Sequence, residues 1–548
     1  MSVAKSSLLM ASGTVISRLM GFARAVLTAM AIGVTTNAAD AFGVANQLPN
    51  NVYAIIAGGT LNAVLVPQLV RARKHEDDGR GYINRLLTFI IMVFLGVTLV
   101  ATLAAPLLIR LYTSDWSADQ LALATAFAYW CLPQLFFYGL YSLLGEVLNS
   151  RSKFGPFMWA PVLNNVVQLA GLAGYIWIFG FDPTGSGGLS GWSSDRIAWL
   201  AGTATLGVAA QAVILFVAWR KIGLKLTPNF KWRGFGLRPA LKTASWSLGM
   251  VLVTQLGGLV QTIVASSAVS ERSVAGADGS IASVAASNIA WLLFMLPHSV
   301  VTVSIATAYF TKMSHHAQAG EYADLKADLV AGLKSISIVA LLATAALIVL
   351  AYPAARVFVG EYPATAALGN VVIAMMVGLL PFSFVYMIQR AFYALEDTRT
   401  PFWFTVAQIS IHIAGSITMS FLVPARWLVV GLALLTSVSV LVQSLLAGWL
   451  LAKRIGPWGR GQLLASIAKY AAGAAAAALV GWLVLALFGG AYEGTFAVAS
   501  VLNAGLTMLA VGGAMLITYA IAMRLLAVRE FDTVYSGVAK AFRGILRR

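Results

Sequence analysis

Long apolar runs alternate with short polar stretches along the whole chain. Each run approaches the roughly 20 residues that a helix needs to cross a hydrocarbon core. None of them alternates polar and apolar positions, and in lipid a helix satisfies its backbone hydrogen bonds within one segment. The pattern therefore predicts fourteen spanning helices, over residues 7–33, 39–70, 83–112, 119–147, 156–181, 194–219, 240–269, 281–311, 328–355, 364–393, 400–423, 427–452, 465–489 and 496–524. The expected fold class is an all-α polytopic membrane protein. Spans longer than an upright helix requires are expected to tilt, kink or emerge from the bilayer. After the last span, residues 528–548 form a basic tail expected to lie amphipathically on the cytoplasmic membrane surface.

Composition narrows the classes further. The 548 residues are 59% hydrophobic and 10% charged, with a mean hydropathy of +0.82. Soluble domains carry about 25% charged residues, so a water-soluble fold is excluded. The net charge of +17 invites a nucleic-acid reading, which its distribution contradicts. With the N-terminus inside, thirty of the thirty-seven Lys and Arg fall in inner segments and five in outer loops. That asymmetry sets both termini in the cytoplasm. It reads the charge as an insertion signal and an attraction to anionic lipid, with no nucleic-acid partner. The remaining two cations, Arg18 and Arg24, lie inside the first run, unlike the apolar region of a cleaved signal peptide. Cys131 is the single cysteine, and the five histidines form no ligand spacing, so no metal site is expected.

The chain repeats itself. Residues 132–157 (LPQLFFYGLYSLLGEVLNSRSKFGPF) and 380–402 (LPFSFVYMIQRAFYALEDTRTPF) both open on Leu-Pro, run through an aromatic helix, cross a charged turn and re-enter at Pro-Phe. Pro133 and Pro381 are 248 apart, Pro156 and Pro401 245 apart. An even number of spans per copy makes the copies parallel, a transporter plan with the substrate site between the halves. The expected organisation is an N-terminal six-helix lobe at 1–222 and a cytoplasmic linker at 223–239. A second six-helix lobe at 240–455, two additional helices at 456–527 and the tail at 528–548 complete it. A central cavity is expected between the lobes.

Arg18 and Arg24 are the residues most charged with chemistry. An arginine at the centre of a spanning helix costs about 2.5–3.5 kcal/mol on insertion scales. Two on one helix call for a wet cavity or partners. Arg24 and Ser17 are seven apart and share a helix face, with Arg18 about 120° from Arg24. A guanidinium presents a permanently charged fork that matches phosphate, so the functional reading is an anionic, phosphate-bearing substrate. The structural alternative has one arginine neutralising Asp40 or Glu146 while the other snorkels. Asp40 opens the second span and Glu146 ends the fourth, either as gate and counter-ion or as solvated helix ends. Gln255, Gln261, Asn288, His298 and His412 read as interhelical hydrogen bonders. The chain has no P-loop and no catalytic constellation. No cofactor is expected, and energy is left to an ion gradient, the membrane potential or a partner.

The motifs carry a resemblance. SGTVISRLMGFARAVLTAMAIG at 12–33 contains Ser17, Arg18, Gly21, Phe22 and Arg24 in an S-R-x-x-G-F-x-R pattern. Asp40-Ala41-Phe42, Leu48-Pro49-Asn50, Val66-Pro67, LNSRSKFGP (148–156), LPHSV (296–300) and FYALEDTRTP (392–401) follow it. Across essentially its whole length the chain resembles the MurJ/MviN family, lipid II flippases of the multidrug/oligosaccharidyl-lipid/polysaccharide exporter superfamily. The resemblance implies two six-helix lobes around a cavity and two extra helices grooved for a polyprenyl tail. It implies Arg18 and Arg24, with Ser17, as headgroup-binding residues. Asp40, Asn50 and Glu146 are further cavity or gate candidates. It also implies a lipid-linked anionic glycan as substrate, moved across a bacterial inner membrane by alternating access, with membrane lipids and cell-wall synthesis machinery as partners. The alternatives are a flippase for another polyprenyl-linked glycan and a cation-coupled drug antiporter. Departures from the family pattern at Ala25, Tyr53, Ala54, Gly58, Leu292 and Met295 leave the cavity's positive charge to one lobe. The chain resembles an actinobacterial-type variant, with no evident match for the acidic sodium ligand of some members.

Overall fold

Every regular element in the computed structural model is helical; it describes residues 3–60, 80–151, 153–221, 227–230, 237–274, 280–528 and 530–531. Twelve helices among these are long and apolar enough to cross a membrane, and a thirteenth span is a helix pair bent by 42°. The remaining expected span, 39–70, is represented by α2 (Asn37–Thr60). Its Asn37, Asp40, Asn46, Gln47, Asn50 and Asn51 lower its hydropathy. Residues 61–70, Val66-Pro67 among them, lie outside the described residues, as do most of the linker and the tail.

The chain divides into two compact units, Met1–Ala277 with Ser283–Ala285, and Asp278–Ala282 with Ala286–Arg548. The first unit holds α1 (Val3–Ile32), α2, α3 (Arg80–Leu103), α4 (Ala105–Tyr112), α5 (Ala118–Cys131), α6 (Gln134–Ser150), α7 (Phe154–Phe179), α8 (Ser194–Val213), α9 (Leu215–Lys221) and α10 (Leu237–Val274). Prolines set several breaks. Pro106 opens α4 in its first turn, where a missing N–H costs nothing, and Pro133 caps α6. Gly33 ends α1 in the left-handed region at φ 81°, its N–H bonded to Ala29 O at 2.8 Å. Helix α7 is the hub, packing on α1 and α8, while α2 packs on α5 and α10. Close approach relies on small residues, as helices in lipid require. A Cβ on Gly145 would enter the Phe157 ring.

The second unit continues α11 (Val284–Pro297) through a wide turn at His298–Thr302 into α12 (Val303–Ala319). The proline ring displaces the preceding carbonyl ladder, and one i→i+5 turn absorbs the misfit. Then follow α13 (Tyr322–Val349), α14 (Ala351–Arg356), α15 (Tyr362–Met376), α16 (Leu379–Ala394), α17 (Arg399–Leu422), α18 (Ala425–Ile455), α19 (Arg460–Leu487), α20 (Phe496–Ala499) and α21 (Val501–Leu525). The 42° bend falls between α15 and α16. Ser437 of α18 supports it: its hydroxyl lies 2.9 Å from Ala374 O and 3.2 Å from Met375 O, carbonyls of the last turn before the break. Gly378 lets Ser437 come that close, since a Cβ there would stand 3.0 Å from Ser437 Cα. Helices α19 and α21 pair with each other and dock on α13 through Tyr470, Ala474, Ala477, Met515 and Tyr519. The Tyr519 hydroxyl donates to Ile338 O at 2.8 Å.

Candidate functional site in the first unit

The apolar part of α1 runs from Ser12 to Ile32. At 1.5 Å per residue, Arg24 lies about 3 Å from its midpoint and Arg18 about 6 Å on the other side. Gly13, Ser17 and Gly21, spaced by four, form the face that packs on α7. A Cβ on Gly13 would stand 3.0 Å from Met158 O and from the Trp159 ring. Asn165 of α7 donates to Ser17 O at 2.9 Å and reaches its Oγ at 3.2 Å. Arg24 lies within about 20° of Ser17 around the helix, so it shares this inward face. Val15, Ile16 and Leu19 are exposed on the far side. Arg18 occupies the flank between the two.

Both arginines are half-buried, and the Arg18 Nε is buried without a hydrogen-bond partner. Among the described residues neither guanidinium forms an ion pair. Other interior arginines of this chain are handled differently. Arg356 donates to the carbonyls of Val498, Val359 and Ala499 at 2.6, 2.5 and 3.1 Å. Arg196 donates to Gly191 O at 3.0 Å and Phe179 O at 3.3 Å. Arg18 and Arg24 keep their forks for something else.

Tyr138 of α6 lies within electrostatic reach of the Arg24 guanidinium. Tyr138 belongs to a row at four-residue spacing, Gln134, Tyr138, Ser142 and Glu146, which runs the length of α6. The Tyr138 hydroxyl donates to Gln134 Oε1 at 3.2 Å. The Gln134 amide donates to Asn46 Oδ1 at 3.0 Å and Thr205 Oγ1 at 3.2 Å. Tyr53 of α2 bonds Ser142 through its hydroxyl, and its ring lies 5.7 Å from Tyr138. This row supplies oriented hydroxyls and amides beside a fixed positive charge, which suits an anion carrying many hydroxyl groups.

The other candidates are placed as follows. Asp40 is fully buried, and its Oδ1 accepts from the Ala285 N–H at 2.8 Å, capping the start of α11. Glu146 is half-buried at the far end of the α6 row and Asn50 is exposed on α2. The structure thus gathers Ser17 and Arg24 with Asn165, Tyr138, Gln134 and Asn46, and leaves Asp40 and Glu146 unpaired with either arginine. The row on α6 carries a sequence signal, polar residues every fourth position in an aromatic span. Asn165 has only the weaker one of an amide in an apolar run.

In the second unit, Tyr386 stands 248 residues after Tyr138, the offset that relates Pro133 to Pro381. It too has an arginine: Arg390 donates to its hydroxyl at 2.7 Å and lies 4.8 Å over its ring. His298 packs on Phe382 and Tyr386, its Nδ1 3.2 Å from Ser383 Oγ. At the α12–α13 turn, His315, His316 and Glu321 bring ligand atoms within 4.8 Å of one another, which spacing in sequence does not reveal. His316 lies between Glu321 at 2.8 Å and Asp328 at 3.4 Å, so the carboxylates already engage both of its nitrogens.

Comparison with known proteins points to one family. The sequence model of the family described as "Lipid II flippase MurJ" matches residues 28–506. Among relatives, the "Probable lipid II flippase MurJ" of Rhizobium meliloti (strain 1021) is 28% identical over 509 residues, covering 89% of this chain and 88% of the relative. The protein of the same description from Synechocystis sp. is 22% identical, covering 99% and 98%. Among solved structures, "Lipid II flippase MurJ, inward closed conformation" superposes with a TM-score of 0.73 at 20% identity, covering 95% of this chain and all of the other. An inward-facing multidrug resistance MATE family transporter of the MOP superfamily superposes at 0.58 and 15% identity, covering 82% and 98%. These likenesses to solved structures show the fold.

Proposed function

The chain belongs to the lipid II flippase MurJ family, and from that premise we propose that it carries lipid II, the lipid-linked peptidoglycan precursor, from the inner to the outer leaflet of a bacterial cytoplasmic membrane. Arg24, Arg18 and Ser17 hold the diphosphate of the headgroup. The α6 row and Asn46 meet its sugars. One observation carries this assignment: Arg24 sits near the middle of a spanning helix, on its inward face, without an ion-pair partner among the described residues. An interior guanidinium is costly, and a transient phosphate is the partner that its fork matches best.

Transport by alternating access accounts for a charge that must be both wetted and sequestered. The lobes at 1–222 and 240–455, the linker at 223–239, the helices at 456–527 and the tail at 528–548 are the proposed working parts, supported by the internal repeat. Both termini are placed in the cytoplasm on the charge asymmetry. Asp40 serves this reading as a cap on α11, and Glu146 and Asn50 as rim residues. Cell-wall synthesis enzymes are the proposed partners, since they consume the exported precursor. The chain acts as a transporter and makes or breaks no covalent bond.

Replacing Arg24 by Ala abolishes growth of flippase-depleted cells while the protein still reaches the membrane at wild-type level. Full growth with that variant overturns the role of Arg24. Direct binding to lipid II, compared with other polyprenyl diphosphate glycans, separates this reading from a flippase of a different glycan.

A further inference from the structure

Within the second unit, α17 and α18 pack side by side and share a seam of polar side chains. Its first two rungs are paired: Gln443 donates to Thr405 Oγ1 at 3.3 Å, and Gln408 donates to Ser439 Oγ at 3.1 Å. The helices run antiparallel, so the next rungs set His412 opposite Leu435 and Thr436, with Ser416 one turn beyond. Close packing of Gly415 against the Leu435 side chain confirms that register. Thr436 spends its proton on its own Leu432 carbonyl, at 2.9 Å. His412 is 3% exposed and Ser416 fully buried, yet both ring nitrogens and the Ser416 hydroxyl lack any hydrogen-bond partner.

Leaving a buried polar group unpaired is costly, and here three atoms on successive turns are left so. Groups of this kind call for a guest or a function, and an ionisable side chain inside a membrane is most often part of an ion path. No fixed charge nearby sets the imidazole's state. The other titratable side chains of α17 and of the helices packed on it, α16 and α18, are Arg399, Tyr386, Arg390, Tyr393, Arg426, Lys453 and Arg454. None of them is among the seam residues, and the set contains no carboxylate. A metal ion would meet one imidazole and one hydroxyl, too poor a ligand set. A proton needs only a nitrogen lone pair.

We propose that His412, with Ser416 beside it, is the proton-carrying site that couples this transporter to the proton gradient. The proposal rests on the flippase reading above. On the outer side a hydronium ion gives its proton to an imidazole nitrogen and leaves as water. On the inner side the imidazolium returns that proton to a water molecule, regenerating neutral His412. One proton moves inward for each lipid-linked anion moved outward. His412 and Ser416 are closed off from solvent in the described state, and opening the seam to either side is what proton exchange requires.

The test uses the full chain in proteoliposomes with lipid II, under an imposed pH difference at zero membrane potential. With one proton per cycle, each pH unit shifts the steady-state distribution of lipid II between leaflets by up to tenfold. In His412→Leu the pH response is lost, while exchange without a gradient persists. Because an unpartnered group has been replaced by a packed one, thermal stability holds or rises. A wild-type protein indifferent to the pH difference, or driven by sodium instead, overturns the proposal whatever the variant does. So does a His412→Leu protein that keeps the tenfold response. If the wild type moves no lipid II even without a gradient, the flippase reading fails first, and that result is distinct from the others.

Discussion

Arg24 can be removed in a way that separates its two possible roles by sign. Replacing it with Leu takes a charge away from a point about 3 Å from the middle of the α1 span. On insertion scales that removes about 2.5–3.5 kcal/mol of cost. No described carboxylate is paired with it, so the change strands no counter-charge, which elsewhere costs about 3–5 kcal/mol. The fold should therefore be as stable as before, or more so. Binding moves the other way. A charge-assisted hydrogen bond is worth about 1.5–3 kcal/mol, so loss of one contact to a diphosphate raises the Kd roughly 10- to 150-fold. Lys in place of Arg keeps the charge but loses the planar fork, and its affinity falls between the two. The assays are thermal unfolding in nanodiscs and equilibrium binding of lipid II to the same preparations. A marked loss of thermal stability with unchanged affinity refutes the reasoning, because it is the signature of a structural ion pair.

Two further outcomes follow from contacts already described. Asn165→Ala removes the bond that holds Ser17 of α1 against α7; interhelical bonds of this kind average about 0.6 kcal/mol, so unfolding free energy falls by about that much. Lipid II affinity falls with it as α1 loses its anchor, and unchanged affinity would free Ser17 from any part in the site. Glu530 sits 3.0 Å from Lys334 of α13, fastening the chain just after α21. Burial pushes its carboxyl up, but hydrogen bonds from its own backbone and from Lys334 outweigh this and leave it below the usual carboxylate range. A lowered value means that its contribution is present at neutral pH and is lost as pH falls through the carboxylate range. Protection of Val528–Phe531 from hydrogen exchange, corrected for intrinsic rates, should drop between pH 6 and pH 3. Lys334→Met should show the low-pH behaviour throughout; a pH-independent wild type would contradict this.

Hydropathy made most of the helices legible because lipid judges a span by its average, residue by residue. It was least informative at α2, where five amides and one carboxyl interrupt the apolar run and Asp40 is fully buried. The arginines were legible for the complementary reason, since nothing in an apolar average excuses them. Their lack of ion pairs was not, because Asp40 was an equally good counter-ion in sequence and only the tertiary structure shows it occupied by the Ala285 N–H. The bend between α15 and α16 was hidden as well. It is supported by Ser437, some sixty residues away in the chain, whose hydroxyl reaches two carbonyls beside the break. The row on α6 was visible and overlooked; four-residue spacing of Gln134, Tyr138, Ser142 and Glu146 is a helix face written out in full.

The wide turn at His298–Thr302 means that residues after it do not continue the angular count of those before it. One surplus residue is lodged in the helix, and in α-geometry each residue is worth about 100° of rotation. Were all the same residues held in unbroken α-geometry instead, Tyr309, Lys312 and the histidine pair would be re-aimed by roughly a quarter-turn with every side chain chemically intact. Along this stretch, then, a change that straightens the turn while keeping its length would be a harsher lesion than a one-codon deletion of the surplus residue, which would leave the later side chains facing as they do.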